Sequence, residues 1–180
     1  MKYMLCVVFS CFAASAYALP MVSLNPSTSV LGFNEAFTVD VLVSGIESTD
    51  QLIAFGFDVG VDTGLTYSGA TVSPSFFDDS GFFPTTDVAG SSFPPISGDN
   101  ILLATLSLMT GTTSGLLTVA ALSTPLDPGL SEGLFTVATI YDISATATVE
   151  VMGSSTVPLP STLLLIGIGL FGVAKHIRRA

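Results

Sequence analysis

Between residues 21 and 151 the apolar residues recur at every second position in short runs, and that period selects β-strands over helices. Phe37, Val39, Val41 and Val43 alternate with Thr38, Asp40 and Leu42, and Ile53, Phe55, Phe57 and Val59 alternate with Ala54, Gly56 and Asp58. Leu102, Ala104, Leu106 and Leu108 alternate with Leu103, Thr105 and Ser107, ahead of the turn-rich run Thr110-Gly111-Thr112-Thr113-Ser114-Gly115. Residues 116–122, 135–143 and 145–151 read as further strands, and shorter ones fall near 21–24, 29–31 and 65–72. The expected total is about nine, punctuated by Gly, Pro, Asn, Asp and Ser, which suits a two-sheet sandwich. No helix of ordinary length is expected between residues 19 and 156.

Residues 73–100 break the alternation. They are rich in Pro, Gly, Ser and Asp, yet carry Phe76, Phe77, Phe82, Phe83 and Phe93. The segment reads as a long loop, and long loops in compact domains tend to be functional. Two outcomes are open for its phenylalanine pairs: they fold back and plug one end of the sandwich, or they form an exposed patch that docks a partner.

Both ends of the chain differ from its middle. Lys2, an apolar stretch from Met4 to about Ala14, and small residues at Ala16 and Ala18 read as a secretory signal with cleavage after Ala18. The apolar stretch is shorter than the roughly 20 residues a membrane span needs. Val8-Phe9-Ser10-Cys11 loosely resembles a lipoprotein signal, with a bulky Phe9 where a small residue is preferred. Cys6 and Cys11 both lie in this leader, so the mature domain folds without disulfides or cysteine ligands.

At the other end, an uncharged stretch from Val157 to Ala174 is followed by Lys175, His176, Arg178 and Arg179. A helix over about 159–174 would cover roughly 24 Å at 1.5 Å per residue, enough to span a bilayer with local thinning and snorkelling cations. The cations at both ends belong on the cytoplasmic side, which puts residues 19–156 outside. The domains are therefore 1–18, 19–156 and 157–180, the last with a basic tail at 175–180.

Residues 19–156 contain all 14 Asp and Glu residues of the chain and no Lys, Arg or His. Without a cation to neutralise phosphates, nucleic acid is excluded as a partner of this domain. Serine-histidine and cysteine-histidine catalysis are excluded by the same inventory. Paired carboxylates would suffice for a glycosidase, but no pair is legible, and the domain has no Trp and only Tyr67 and Tyr141 for sugar stacking. The chain reads as a non-enzyme. No cofactor is expected, and the one metal the residues admit is calcium, through Asp78, Asp79 and Asp87 or through Asp58 and Asp62. Solvated turn residues explain these acids equally well. Proline in Asn25-Pro26-Ser27 rules out N-glycosylation there.

Two resemblances add to this reading. Val157-Pro158-Leu159-Pro160-Ser161, the Gly- and Leu-rich stretch behind it and the terminal Lys175, Arg178 and Arg179 resemble the PEP-CTERM sorting tail. Leu159 stands where that family has a glutamate. The resemblance implies recognition by an exosortase in a Gram-negative bacterium, then release or attachment at the surface, often within an exopolysaccharide matrix. Val22-Ser23-Leu24-Asn25-Pro26 with 37–41, 53–59 with Asp62, 101–108, Gly111-Thr112-Thr113-Ser114-Gly115 and 116–119 are similar to the strand series of a cohesin domain. That resemblance implies a nine-strand jelly-roll sandwich related to bacterial carbohydrate-binding modules, with a dockerin or a polysaccharide as partner. The expected function is an exported, membrane-tethered binding protein. The alternatives are a structural component of the matrix and a carboxylate-based glycosidase.

Overall fold

The computed structural model describes residues 19–124 and 131–153. Within them the chain forms twelve strands: β1 (Met21–Pro26), β2 (Val30–Leu31), β3 (Ala36–Ser44), β4 (Leu52–Val61), β5 (Leu65–Val72), β6 (Phe77–Asp78), β7 (Val88–Ile96), β8 (Ile101–Thr110), β9 (Gly115–Leu122), β10 (Gly133–Thr136), β11 (Ile140–Tyr141) and β12 (Ser144–Val151). Nine of these run four residues or longer, in line with the expected jelly-roll sandwich, and three are two-residue pieces. One 3₁₀ turn, Ser80–Phe82, is the only helical element among the described residues. None of their helices is long and apolar enough to cross a membrane; the expected span at 159–174 and the leader at 1–18 lie outside the described residues.

Two sheets enclose the core. One has the order β1-β3-β8-β5, and the other runs β11-β10-β4-β9-β12-β2, with β7 and β6 added beside β4. The pairings are antiparallel except β2 with β12. Strand β3 behaves as its alternation predicts, with Phe37, Val39, Val41 and Val43 turned inward and buried. Leu106 and Leu108 of β8 meet them from the same sheet, and Leu52, Phe55, Phe57, Val119, Leu134 and Val149 close the core from the other.

Elsewhere the alternation slips, and in each case a bulge explains why. In β8 the pairing steps from Val41↔Ala104 to Leu42↔Leu102, so Leu103 is an extra residue and becomes fully buried instead of facing out. In β4 the expected inward set began at Ile53, but both neighbouring strands shift register between Leu52 and Ala54. Leu52 is therefore buried, while Ile53 is exposed. The expected strand over 135–143 is a hairpin instead. β10 and β11 pair Leu134 with Tyr141 and Phe135 with Ile140, and Thr136 N–H donates to the Thr139 carbonyl at 2.9 Å to close the turn.

The largest correction concerns residues 73–100, read as a long loop. They contain β6, the 3₁₀ turn and the nine-residue β7, which pairs with β4 from Phe57↔Val88 to Leu52↔Ile96. Pro94 and Pro95 mask this strand in the sequence, because proline weakens the strand signal. Their effect is local: between Ala54↔Ser91 and Leu52↔Ile96 the chain of β7 bows away from β4, and Phe93 on the bow is exposed.

Candidate docking face

Half of β4 is flanked by β10 on one edge and β7 on the other, and β7 carries β6 beyond it. The registers align Phe135↔Ala54, Ala54↔Ser91 and Ser91↔Phe77, so Phe135, Ala54, Ser91 and Phe77 form one row across four strands. Directly opposed residues share a face. The adjacent row, Leu134, Phe55 and Gly90, points into the core: Leu134 and Phe55 are buried, and a side chain at Gly90 would collide with the Phe55 ring at 2.9 Å. The Phe135 row therefore lies on the outer face.

A groove of about 310 Å³ opens here, lined by Ala54, Phe55, Asp79, Phe83, Ala89, Gly90, Ser91, Ser131 and Phe135. Its lining mixes small residues with three phenylalanines. Ser131, one of the lining residues, crosses over Gly56 so closely that a Cβ there would collide with its carbonyl oxygen. The Thr86 hydroxyl, donating to Ser131 Oγ at 3.0 Å, fixes this crossing.

The phenylalanines of the expected partner loop divide between the two sides. Phe76 is core: it is 7% exposed and packs edge-on to Phe55, with ring centres 5.0 Å apart. Phe77 and Phe82 are 66% and 79% exposed, and Phe83 lines the groove. Phe135 and Ala54 complete the site and were missed by sequence reasoning, which took 135–143 as a continuous strand with no register to place it beside β4. The sorting residues Val157, Pro158, Leu159, Pro160 and Ser161, the cleavage residues Ala16 and Ala18, and Lys175, Arg178 and Arg179 lie outside the described residues.

Four of the acids considered as calcium ligands, Asp58, Asp62, Asp78 and Asp87, accept hydrogen bonds from backbone amides. Asp87 Oδ2 accepts from Val59 N–H at 2.9 Å, and Asp58 Oδ1 accepts from Asp87 N–H at 3.3 Å, linking β4 to the start of β7. Asp62 Oδ2 accepts from Thr118 N–H at 2.8 Å, and Asp78 Oδ1 accepts from Ser80 N–H at 3.1 Å. Among the described residues no three acids converge on a point that could hold a metal ion. At the opposite end of the sandwich, Asp50 Oδ1 accepts from Ala138 N–H at 2.8 Å and Asp50 Oδ2 from the Tyr141 hydroxyl at 3.2 Å. The Thr136 hydroxyl, followed by these two donors, holds the Asp50 carboxyl below the usual range against an opposing effect of burial. Burial, and secondarily the charge of Asp87, pushes the Tyr67 phenol up to about 12.

The fold is that of cohesin modules. A cohesin module from a Clostridium perfringens family 33 glycoside hydrolase superimposes with a TM-score of 0.56 at 11% identity, covering 76% of this chain and 100% of that module. A type III cohesin from the cell-surface anchoring scaffoldin ScaE of Ruminococcus flavefaciens gives 0.53 at 14% identity, covering 73% and 87%. Beyond this domain, residues 156–179 match the PEP-CTERM protein-sorting motif despite Leu159. That motif implies an exported protein anchored at the membrane or cell surface. No curated protein matches the chain in sequence.

Proposed function

We propose that the chain is a non-catalytic docking module, exported through its leader, tethered by its C-terminal helix and handed on by an exosortase to the surface or matrix. The outer face of β10, β4, β7 and β6 receives a protein partner, a dockerin-bearing protein in the first instance. The observation that carries this reading is the row Phe135, Ala54, Ser91 and Phe77, a strip of small residues between aromatic walls on the outside of a sheet. A contiguous apolar groove on the outer face of a sheet is not needed for folding, and such patches mark interaction sites. Large aromatic side chains are also the residue types that dominate binding energy.

Retention of purified dockerin-bearing proteins by the immobilised protein, with and without calcium, tests the reading. F77S and F83S should cut retention at least tenfold while leaving the melting temperature within 2–4 °C, the shift that about 1 kcal/mol produces in a domain of this size. Retention that is unaffected by both substitutions counts against the groove. A polysaccharide panel in the same format distinguishes glycan recognition, and failure to retain either class favours a purely structural matrix role.

A further inference from the structure

A second cavity, of about 270 Å³, opens at the end of the sandwich where β1 begins. It is lined by Leu19, Pro20, Gly45, Glu47, Thr49, Asp50, Ala138 and Tyr141, so the first described residue of the domain is part of its wall. The Leu19 backbone passes close to Gly45, where a Cβ would lie 3.3 Å from the Leu19 carbonyl oxygen, while the Leu19 side chain is 74% exposed. Gly45 adopts φ +79°, a backbone conformation suited to glycine, and Asp99 Oδ1 accepts its N–H at 2.8 Å. Met21↔Ser44 pairing then anchors the next residues in the sheet.

The ionisable groups facing this cavity are Glu47, Asp50 and Tyr141, with Asp99 behind Gly45; none is a cation. The Tyr141 phenol registers their field, being raised first by burial and then by the hydrogen bond and charge of Asp50 and the charge of Glu47. Cleavage after Ala18 would leave the α-amino group on Leu19, at the wall of this cavity. That ammonium would be the only cation in residues 19–156, which otherwise hold 14 acids and no Lys, Arg or His.

We propose that removal of the leader completes the fold electrostatically: the new Leu19 ammonium seats in the acidic cavity of Glu47 and Asp50 and ties the start of β1 to the 45–50 turn and the β10–β11 hairpin. The uncut precursor carries a neutral amide nitrogen at that position and lacks this tie. The proposal rests on the processing site read from Ala16 and Ala18.

The sign of the effect comes from linkage. An amine whose folded pKa is raised stabilises fully below its unfolded value of about 8, and the contribution is lost as pH rises through the folded value. The test uses the mature chain from Leu19 to Ala180 in detergent, released from an N-terminal fusion and reductively ¹³C-methylated. Its only two amines are the Leu19 α-amine and Lys175, so two NMR signals report everything. The Leu19 signal should titrate at least half a unit above that of the same chain unfolded in urea, and E47Q and D50N should each lower it. Among the described residues Glu47 accepts only the Thr49 hydroxyl, so E47Q leaves the fold intact even if D50N loosens the hairpin. An unshifted amine, indifferent to E47Q, overturns the proposal and leaves the processing site standing. Mass spectrometry that places the exported terminus at another residue overturns the processing reading, and the proposal with it.

Discussion

A domain with 14 acids and no basic side chain must satisfy its carboxylates without salt bridges, and here the backbone supplies the donors. Amides of Gly45, Val59, Thr118 and Ala138 each donate to an aspartate across 28 or more positions in sequence, so the acids act as clips between distant segments. Asp50 is the clearest case, because its lowered pKa ties stability to pH. A depressed carboxylate stabilises above its unfolded value and loses that contribution as pH falls through the folded value. Asp50→Asn should therefore lower the melting temperature at pH 7, and the gap from wild type should close as pH drops below about 4. Melting curves across that range check it, and a constant gap would refute the linkage. Tyr67 makes the opposite demand: its phenol, raised to about 12, favours the fold while protonated. Stability is complete below its unfolded pKa of about 10 and falls between there and 12, so Tyr67→Phe should flatten the alkaline limb of the same curves.

At the scale of elements, the strands with uninterrupted alternation were legible and the bulged ones were legible only in part. Strand β3 has no extra residue in its inward series and buries the four side chains its period names, whereas single inserted residues, Leu103 against β3 and Ile53 against β10, reverse the facing of the side chains beyond them. Periodicity cannot show a bulge, because a bulge is a relation between two strands. The same limit hid the groove on the outer face: Phe77 and Phe83 stood out as loop aromatics, but their neighbours Ala54, Ser91 and Phe135 come from three strands joined only by register. The division among the phenylalanines is testable. Phe76→Ala empties a core position against Phe55 and should cost about 3–5 kcal/mol, while Phe82→Ala, on the surface, should stay within about 0.5 kcal/mol. Urea denaturation distinguishes them, and equal costs would mean that the segment is a single packed plug.

For the whole molecule, the one-sided charge predicts a fold that gains from screening. Like charges repel over roughly a Debye length, about 30 Å at 0.01 M ionic strength and about 8 Å at 0.15 M, so raising sodium chloride across that range should raise the melting temperature. A flat response would mean that the acids are already spaced beyond mutual influence. The crossing of Ser131 over Gly56 matters at this scale too. It allows no side chain at that position, and Gly56→Ala should cost about 1–3 kcal/mol by forcing the two segments apart. The groove beside this crossing draws most of its lining from β4, β7 and β10, which are joined only by strand pairing, so it exists only while the sheet is assembled, and any guest that seats there reads the folded state and stabilises it.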